Sequence, residues 1–373
     1  MECSSFNCYK SKSGKVRILF LTIGDERFAS SRTRVFQYLP HLKKRGIEFK
    51  VYKYETGNLT WVVSNFSTKN LLGKILYFIA FKINSLIDKI YKKINLYRFI
   101  NDINNYDVVF IQKVLLPLKY HNRIKQKTLV FDFDDALYAD DFYQKSLFDE
   151  MLKISNLIIL ENDETAAYVN QYNNTILKIT GPIDCDRYTP TKRKVENDKF
   201  CIGWVGSSST TKFLNIIEEP LRRLNEKYPG KIIFKSIGAT NYAFAGIETL
   251  CVKWTLITEA KELESFDIGV MPLYDNEFTR GKGGYKLLQY MALGIPSIAS
   301  PVGINNEIIV DNINGFKANC DDEWFNYFEL LFLNNELRNL LGANARESAL
   351  KMYSFNHYTD VMIYNISNIL KNG

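Results

Sequence analysis

The residues best equipped for chemistry lie between Asp275 and Gly303, in the run DNEFTRGKGGYKLLQYMALGIPSIASPVG. Gly281, Gly283 and Gly284 let a ligand approach the backbone closely, and Arg280, Lys282 and Lys286 bring three cations to the same place. Tyr285 to Leu293 then reads as a helix closed by Gly294 and Pro296. Its first N–H groups and the positive end of its dipole point into the glycine loop, which suits a diphosphate. The loop is not a Walker loop, because no Gly-Lys-Ser/Thr ends it, and the G-x-G-x-x-G spacing is missing. A turn and a helix cap explain the glycines alone; phosphate binding explains the glycines and the cations together.

A second loop, Gly203 to Lys212 (GWVGSSSTTK), follows an apolar run and offers Gly206, Ser207, Ser208 and Lys212 to the same phosphates, although serines in such a run also serve as helix caps. Nearer the N-terminus, Gly24 with Ser30, Ser31, Arg32 and Arg34 follows one apolar run, and Asp132, Asp134 and Asp135 (FDFDDALY) close another. Aspartates at the carboxyl end of a strand orient substrate hydroxyls or act as a base. The same D-x-D resembles the first motif of the haloacid-dehalogenase-like phosphatases, with Asp132 as nucleophile and Asp134 as acid/base. Against that reading, Ala136 stands where Thr or Val is usual, and no clear Gly-Asp acidic motif for magnesium follows.

Other chemistries have little to work with. The three histidines, His41, His121 and His357, are far apart, and the six cysteines include no C-x-x-C pair, so neither a metal site nor a Ser-His-Asp triad is expected. With no secretory segment at the start, the cysteines read as reduced cytoplasmic thiols. Forty-eight basic against forty-one acidic residues give a net charge of +7, which fits anionic ligands or a membrane surface better than nucleic acid.

The elements that must carry these residues alternate. Buried-type strands are expected at Lys15 to Ile23, Glu48 to Tyr54, Asp107 to Ile111, Leu129 to Phe133 and Leu157 to Leu160, with a helix over Arg32 to Arg45 capped by Ser30 or Ser31 and ended at Gly46. The pattern restarts with Phe200 to Val205, Ile232 to Ile237, Ile268 to Met271 and Ile295 to Ala299. Two α/β, doubly wound domains in tandem follow, with ligands at the carboxyl ends of the strands. The expected boundaries are a mobile tail at 1–14, a first domain at 15–186, a charged linker at 187–199, a second domain at 200–352 and a closing helix at 353–373. Asn70 to Ile100 departs from the alternation: it is long, helical in period and basic (Lys74, Lys82, Lys89, Lys92, Lys93, Arg98 against Asp88). Its longest apolar run is too short to span a bilayer of about 30 Å. It reads either as a helix lying on an anionic membrane or as core helices with solvated lysines.

With these residues in view, the sequence resembles a known family. Arg280 to Phe316 (RGKGGYKLLQYMALGIPSIASPVGINNEIIVDNINGF) resembles the donor-site region of GT-B glycosyltransferases of the family-4-like, group 1 type. GWVGSSSTTKFL, FDFDDALY, SSRTR and the closing SFNHYTDVMI stand where that family has its corresponding segments. The resemblance implies two Rossmann-like domains facing across a cleft. It implies transfer of a sugar from a nucleotide diphosphate sugar to an acceptor hydroxyl, usually with retention, and with no required metal or other cofactor. By position, Lys286 and the helix start hold the diphosphate, and Gly283, Gly284 and Tyr285 line it. Gln289 replaces the glutamate that contacts the donor ribose, and Gly281 replaces the other glutamate of the Glu, seven residues, Glu pair. Ser207 and Lys212 match the usual Arg and Lys of the second domain's first loop, and Glu307 faces donor hydroxyls. Asp134 or Asp135 orients the acceptor, with Gly24, Ser30, Arg32 and Arg34 on the acceptor side. The phosphate-ready loop together with the basic amphipathic segment 70–100 points to a cytoplasmic sugar transferase at the inner membrane face, extending a surface polysaccharide or lipid-linked glycan. The phosphatase reading stays open, as does a non-catalytic transferase-like scaffold, motivated by Gln289 and Gly281.

Overall fold

A computed structural model describes residues 10–11, 14–56, 71–139, 143–191, 199–239 and 241–372. The chain forms two compact units. The first takes the chain up to Leu160, Thr165–Ile179 and the chain from Thr359; the second takes Glu161–Glu164 and Thr180–Tyr358.

The first unit is built on six parallel strands: β1 (Arg17–Thr22), β2 (Glu48–Lys53), β3 (Val108–Gln112), β4 (Thr128–Asp132), β5 (Leu157–Leu160) and β6 (Ile176–Lys178), in the order β2-β1-β3-β4-β5-β6. The central strands are continuous apolar runs because helices cover both faces; every residue of β3 and β5 is buried. The edge strand β2 is half exposed, and β6 is only three residues long and carries no such run, so the sequence pattern misses it. The helix expected over Arg32 to Arg45 is instead broken into Ala29–Arg34, a 3-10 turn at Phe36–Tyr38 and Leu39–Lys44. Pro40 is the reason: it cannot donate within a helix but fits the first turn of a new one. Neither Ser30 nor Ser31 caps it, since Phe28 holds the N-cap position. Gly46 does adopt the left-handed conformation that ends the segment. Of the expected N-terminal tail, residues 1–9 and 12–13 lie outside the described residues, and Lys10–Ser11 pairs with Gly14–Lys15.

The basic segment forms one helix of 32 residues, Leu71–Asp102. Its C-terminal turns pack into the core through Leu96, Phe99 and Ile100. Before that its polarity is reversed: Asp88 and Asn95 are buried, whereas Ile75, Ile79, Ile83, Leu86, Ile90, Ile94 and Tyr97 are exposed.

The second unit has β7 (Phe200–Val205), β8 (Ile232–Ile237), β9 (Glu248–Val252), β10 (Ile268–Met271), β11 (Ser297–Ala299) and β12 (Gly315–Lys317), all parallel, in the order β9-β8-β7-β10-β11-β12. This is the 3-2-1-4-5-6 order of dinucleotide-binding sheets. The flanking strands β9 and β12, one largely exposed and one three residues long, escape the sequence pattern.

The linker expected at 187–199 is corrected. Besides Glu161–Glu164, the second unit takes Thr180–Tyr358, and Tyr188, inside the expected linker, is a fully buried member of its core; residues 192–198 lie outside the described residues. The closing helix is Phe355–Asn372, and from Thr359 onward it belongs to the first unit, where Asp360 pairs with Arg45.

Candidate functional site

In an open parallel sheet, the crevice that binds ligands forms at the carboxyl edge where the strand order reverses, because loops there diverge to opposite faces. In the second unit this point lies between β7 and β10, neighbours through Ile202–Ile268 and Gly203–Gly269. The two loops that leave these strands are the two singled out by residue type, 206–212 and 272–284.

Trp204, at the end of β7, joins them. Its indole lies under Gly206, where a Cβ would come within 2.4 Å of the ring, and the Lys286 ammonium sits 5.0 Å from the ring centroid. Gly206 has a second close neighbour: at Gly238, with φ of +99°, a Cβ would stand 2.5 Å from the Gly206 carbonyl oxygen. Ser207 and Ser208 are exposed; the Ser207 and Ser209 hydroxyls lie 2.8 Å apart, and Lys212 is exposed with its ammonium over the Phe213 ring.

The glycine loop is more ordered than its composition implies. Glu277–Arg280 is a short helix closed by a capping box between Asn276 and Thr279, a pairing legible as N-x-x-T. The helix Tyr285–Ala292 follows with Gly284 at its N-cap. Gly303 locks the next loop onto this one: its φ is +51°, and a Cβ there would lie 2.2 Å from the Arg280 carbonyl oxygen. Glu307 is exposed on the short helix Asn305–Ile308, whose Ile308 side chain packs at Gly284.

Two expected contacts change. Arg280 forks onto Asp275, with Nε 2.5 Å from Oδ1 and Nη2 3.0 Å from Oδ2, so its charge is largely neutralised at the rim. Lys282 lies over the Phe278 ring and Lys286 over the Trp204 ring. Gln289 is 2% exposed and donates from Nε2 to the Tyr188 hydroxyl at 2.9 Å, so it braces the helix from below and is not placed as a ribose contact. The Tyr188 hydroxyl donates in turn to Glu259 at 2.6 Å, and Trp254 Nε1 donates to the other Glu259 oxygen at 2.6 Å. Sequence reading missed this buried chain, because Tyr188, Glu259 and Gln289 come from three distant segments.

In the first unit the order reverses between β1 and β3. Gly24 and Ser30 follow β1: the Gly24 N–H donates to the Ser31 hydroxyl, which donates to Gln112 Oε1 at 3.0 Å, while Gln112 Nε2 donates to the Ser30 hydroxyl at 2.8 Å. Arg32 and Arg34, expected on the acceptor side, are both buried. Arg34 forks onto Asp132, with Nη2 2.6 Å from Oδ2 and Nε 3.1 Å from both oxygens, and its Nη1 donates to the Ile179 carbonyl at 2.9 Å. Burial pushes the Asp132 carboxyl up to about 6, against the opposing pull of the Arg34 guanidinium. A carboxylate so enclosed is a structural anchor, which leaves the phosphatase reading without its nucleophile. Asp134 and Asp135 are partly exposed and share one partner that sequence reading missed, Lys113, at 2.9 and 2.7 Å.

Solved structures share this architecture along nearly the whole chain. A glycosyltransferase from Rickettsia africae matches with a TM-score of 0.67 at 16% identity, covering 96% of this chain and 100% of its own. HepE from Anabaena, in complex with UDP, matches at 0.66 with 12% identity over 95% and 100%, and sucrose-phosphate synthase from Thermosynechococcus elongatus at 0.66 with 12% over 96% and 100%. The fold is GT-B. Within this GT-B chain, residues 202–329 match the family model of the group 1 glycosyl transferases, a span that takes in both loops, the helix Tyr285–Ala292 and Glu307. The enzyme class expected from the sequence, a glycosyltransferase, is the one that model describes. No curated protein sequence matches the chain.

Proposed function

We propose that this chain transfers a sugar from a nucleotide diphosphate sugar, with uridine as the favoured nucleoside, to an acceptor hydroxyl, with retention of configuration, in the assembly of a surface polysaccharide or lipid-linked glycan. The observation that carries this reading is the convergence of the 281–284 glycine loop, a helix N-terminus, Lys282 and Lys286 at the point where the second sheet reverses. Breaking an anomeric bond leaves negative charge on the diphosphate and positive charge on the ring. Cations and N–H groups already aimed at the leaving group stabilise that separation without reorganising. Lys286 and the helix start hold the diphosphate, Gly206, Ser207, Ser208 and Lys212 close over it, Glu307 faces donor hydroxyls, and Asp134 and Asp135 orient the acceptor.

Thermal stabilisation by UDP, GDP, dTDP, ADP and CMP and their sugars, with and without magnesium, tests the reading. At a hundred times its dissociation constant, a ligand adds about 2.7 kcal/mol. Stabilisation by UDP or a UDP-sugar, lost in Lys286→Ala, is expected. No response to any nucleotide would sink it and favour the non-catalytic scaffold.

No helix among the described residues is long and apolar enough to cross a membrane. We propose that the chain instead rests on an anionic membrane through Leu71–Asp102. Ile75, Ile79, Ile83 and Leu86 repeat eleven residues later as Leu86, Ile90, Ile94 and Tyr97, all exposed. An eleven-residue period, about 3.67 per turn, is close to the helix's own 3.6, so such a stripe drifts only about 20° around the helix per repeat. Lys82, Lys89 and Lys93 are exposed beside it, whereas Lys92 turns inward to Glu55 and Asp88. A second copy would set lysine against lysine; anionic lipid complements them. Flotation with phosphatidylserine vesicles is expected, and its persistence unchanged in the triple variant Lys82→Glu, Lys89→Glu, Lys93→Glu would refute the contact.

A further inference from the structure

A buried hydroxyl ties the helix Tyr285–Ala292 to the end of β7. Tyr290 is fully buried, and its hydroxyl accepts the Val205 N–H at 3.1 Å. Val205 is the last residue of β7, so the next one, Gly206, opens the serine loop. The need for this bond follows from the sheet. β7 and β10 pair through Ile202–Ile268 and Gly203–Gly269, and the ladder stops there although β7 runs on to Val205 and β10 to Met271. The Gly206 N–H donates to the Ile237 carbonyl of β8, and the backbone groups of successive strand residues point to opposite sides, so the Val205 N–H faces β10. Because the two strands part where the order reverses, that donor meets no strand carbonyl, and a buried N–H left unpaired is costly. The Tyr290 hydroxyl stands in for the missing carbonyl.

Two glycines make room for the ring that carries it. Gly203 and Gly269 lie opposite each other in the ladder; a Cβ on Gly269 would come within 2.3 Å of the Tyr290 ring, and one on Gly203 within 2.0 Å of the Phe266 ring. The Phe266 and Tyr290 rings are 6.0 Å apart between centroids, tilted at 57°. Glycine inside a strand weakens it and marks a place where another group comes close. Here that group is the ring whose hydroxyl reaches Val205. One turn earlier on the same helix face, the Lys286 ammonium lies 5.0 Å from the Trp204 ring centroid. The helix therefore touches both of the last two residues of β7. Its N-cap, Gly284, belongs to the glycine loop and stands about 9 Å along the axis from Tyr290, at about 1.5 Å per residue. A single rigid helix thus connects the end of β7, and with it the serine loop, to the glycine loop.

We propose that Tyr290 is a positioning residue that fixes the spacing between the 206–212 loop and the 281–284 loop, so that both meet one diphosphate without rearranging. That the ligand is a nucleotide rests on the transferase reading; the spacing does not, and is measured separately. Groups held in place beforehand spare a ligand the ordering of them on binding. Tyr290→Phe keeps the ring and removes the oxygen alone. In the full chain without ligand, this variant should exchange amide hydrogens about fivefold faster or more in peptides covering 204–212 and 280–290, with 232–237 of β8 unchanged. In titration calorimetry well below both unfolding midpoints, UDP should bind it about three- to tenfold more weakly, the range of one net hydrogen bond. Gly269→Ala, which drives the ring aside without altering either loop, should move both readouts in the same direction. A lower midpoint with UDP affinity within about twofold of the parent would make Tyr290 a packing residue and overturn the proposal, as would unchanged exchange in both variants. Faster exchange in the variants of a parent that binds no UDP would overturn the transferase reading and leave the spacing role standing.

Discussion

Arg34→Met tests whether the pair with Asp132 anchors the first unit. The two side chains are 1% and 2% exposed, and the guanidinium also holds the Ile179 carbonyl, so truncation strands a carboxylate and a carbonyl in the core. Removing one partner of such a pair costs about 3–5 kcal/mol. In a domain of roughly 150–250 residues each kcal/mol moves the midpoint by about 2–4 °C, so a fall of about 10 °C is expected by calorimetry. The sign with pH is equally specific. The Asp132 carboxyl is raised from 3.8 to about 6 in the folded chain, so its contribution is full below pH 3.8 and is lost as pH rises through 6. Without the guanidinium the carboxyl rises further, and the penalty of Arg34→Met grows between pH 6 and pH 8. Adding Asp132→Asn should recover most of the loss at pH 8. A variant within about 0.5 kcal/mol of the parent, with no pH dependence, would refute the reasoning.

Two further outcomes separate the parts of the second unit. Gly303→Ala should abolish most nucleotide-induced stabilisation with only a modest drop in the unliganded midpoint, because its Cβ would come within 2.2 Å of the Arg280 carbonyl oxygen and push the 280–284 loop away; an unaltered nucleotide response would show that this loop is not part of the site. Arg280→Ala should lower nucleotide affinity far less than Lys286→Ala, since Asp275 already neutralises Arg280; equal losses in titration calorimetry would contradict that assignment.

The alternation of apolar runs determined the class of fold, because a strand buried on both faces is apolar almost throughout, as β5 and β7 are and as β3 is up to its final Gln112. The flanking β6, β9 and β12 lack that constraint and carry no such signal. Glycine, serine and cation spacing singled out the two loops that leave β7 and β10, since the backbone of a turn depends on neighbours in sequence. What each charge does was decided only in three dimensions. Arg34 meets Asp132 across 98 residues and Lys113 meets Asp134 across 21, and Gln289 meets Tyr188 across 101. Local pattern names the side chain, but the partner that neutralises it or leaves it available is set by which strands lie side by side.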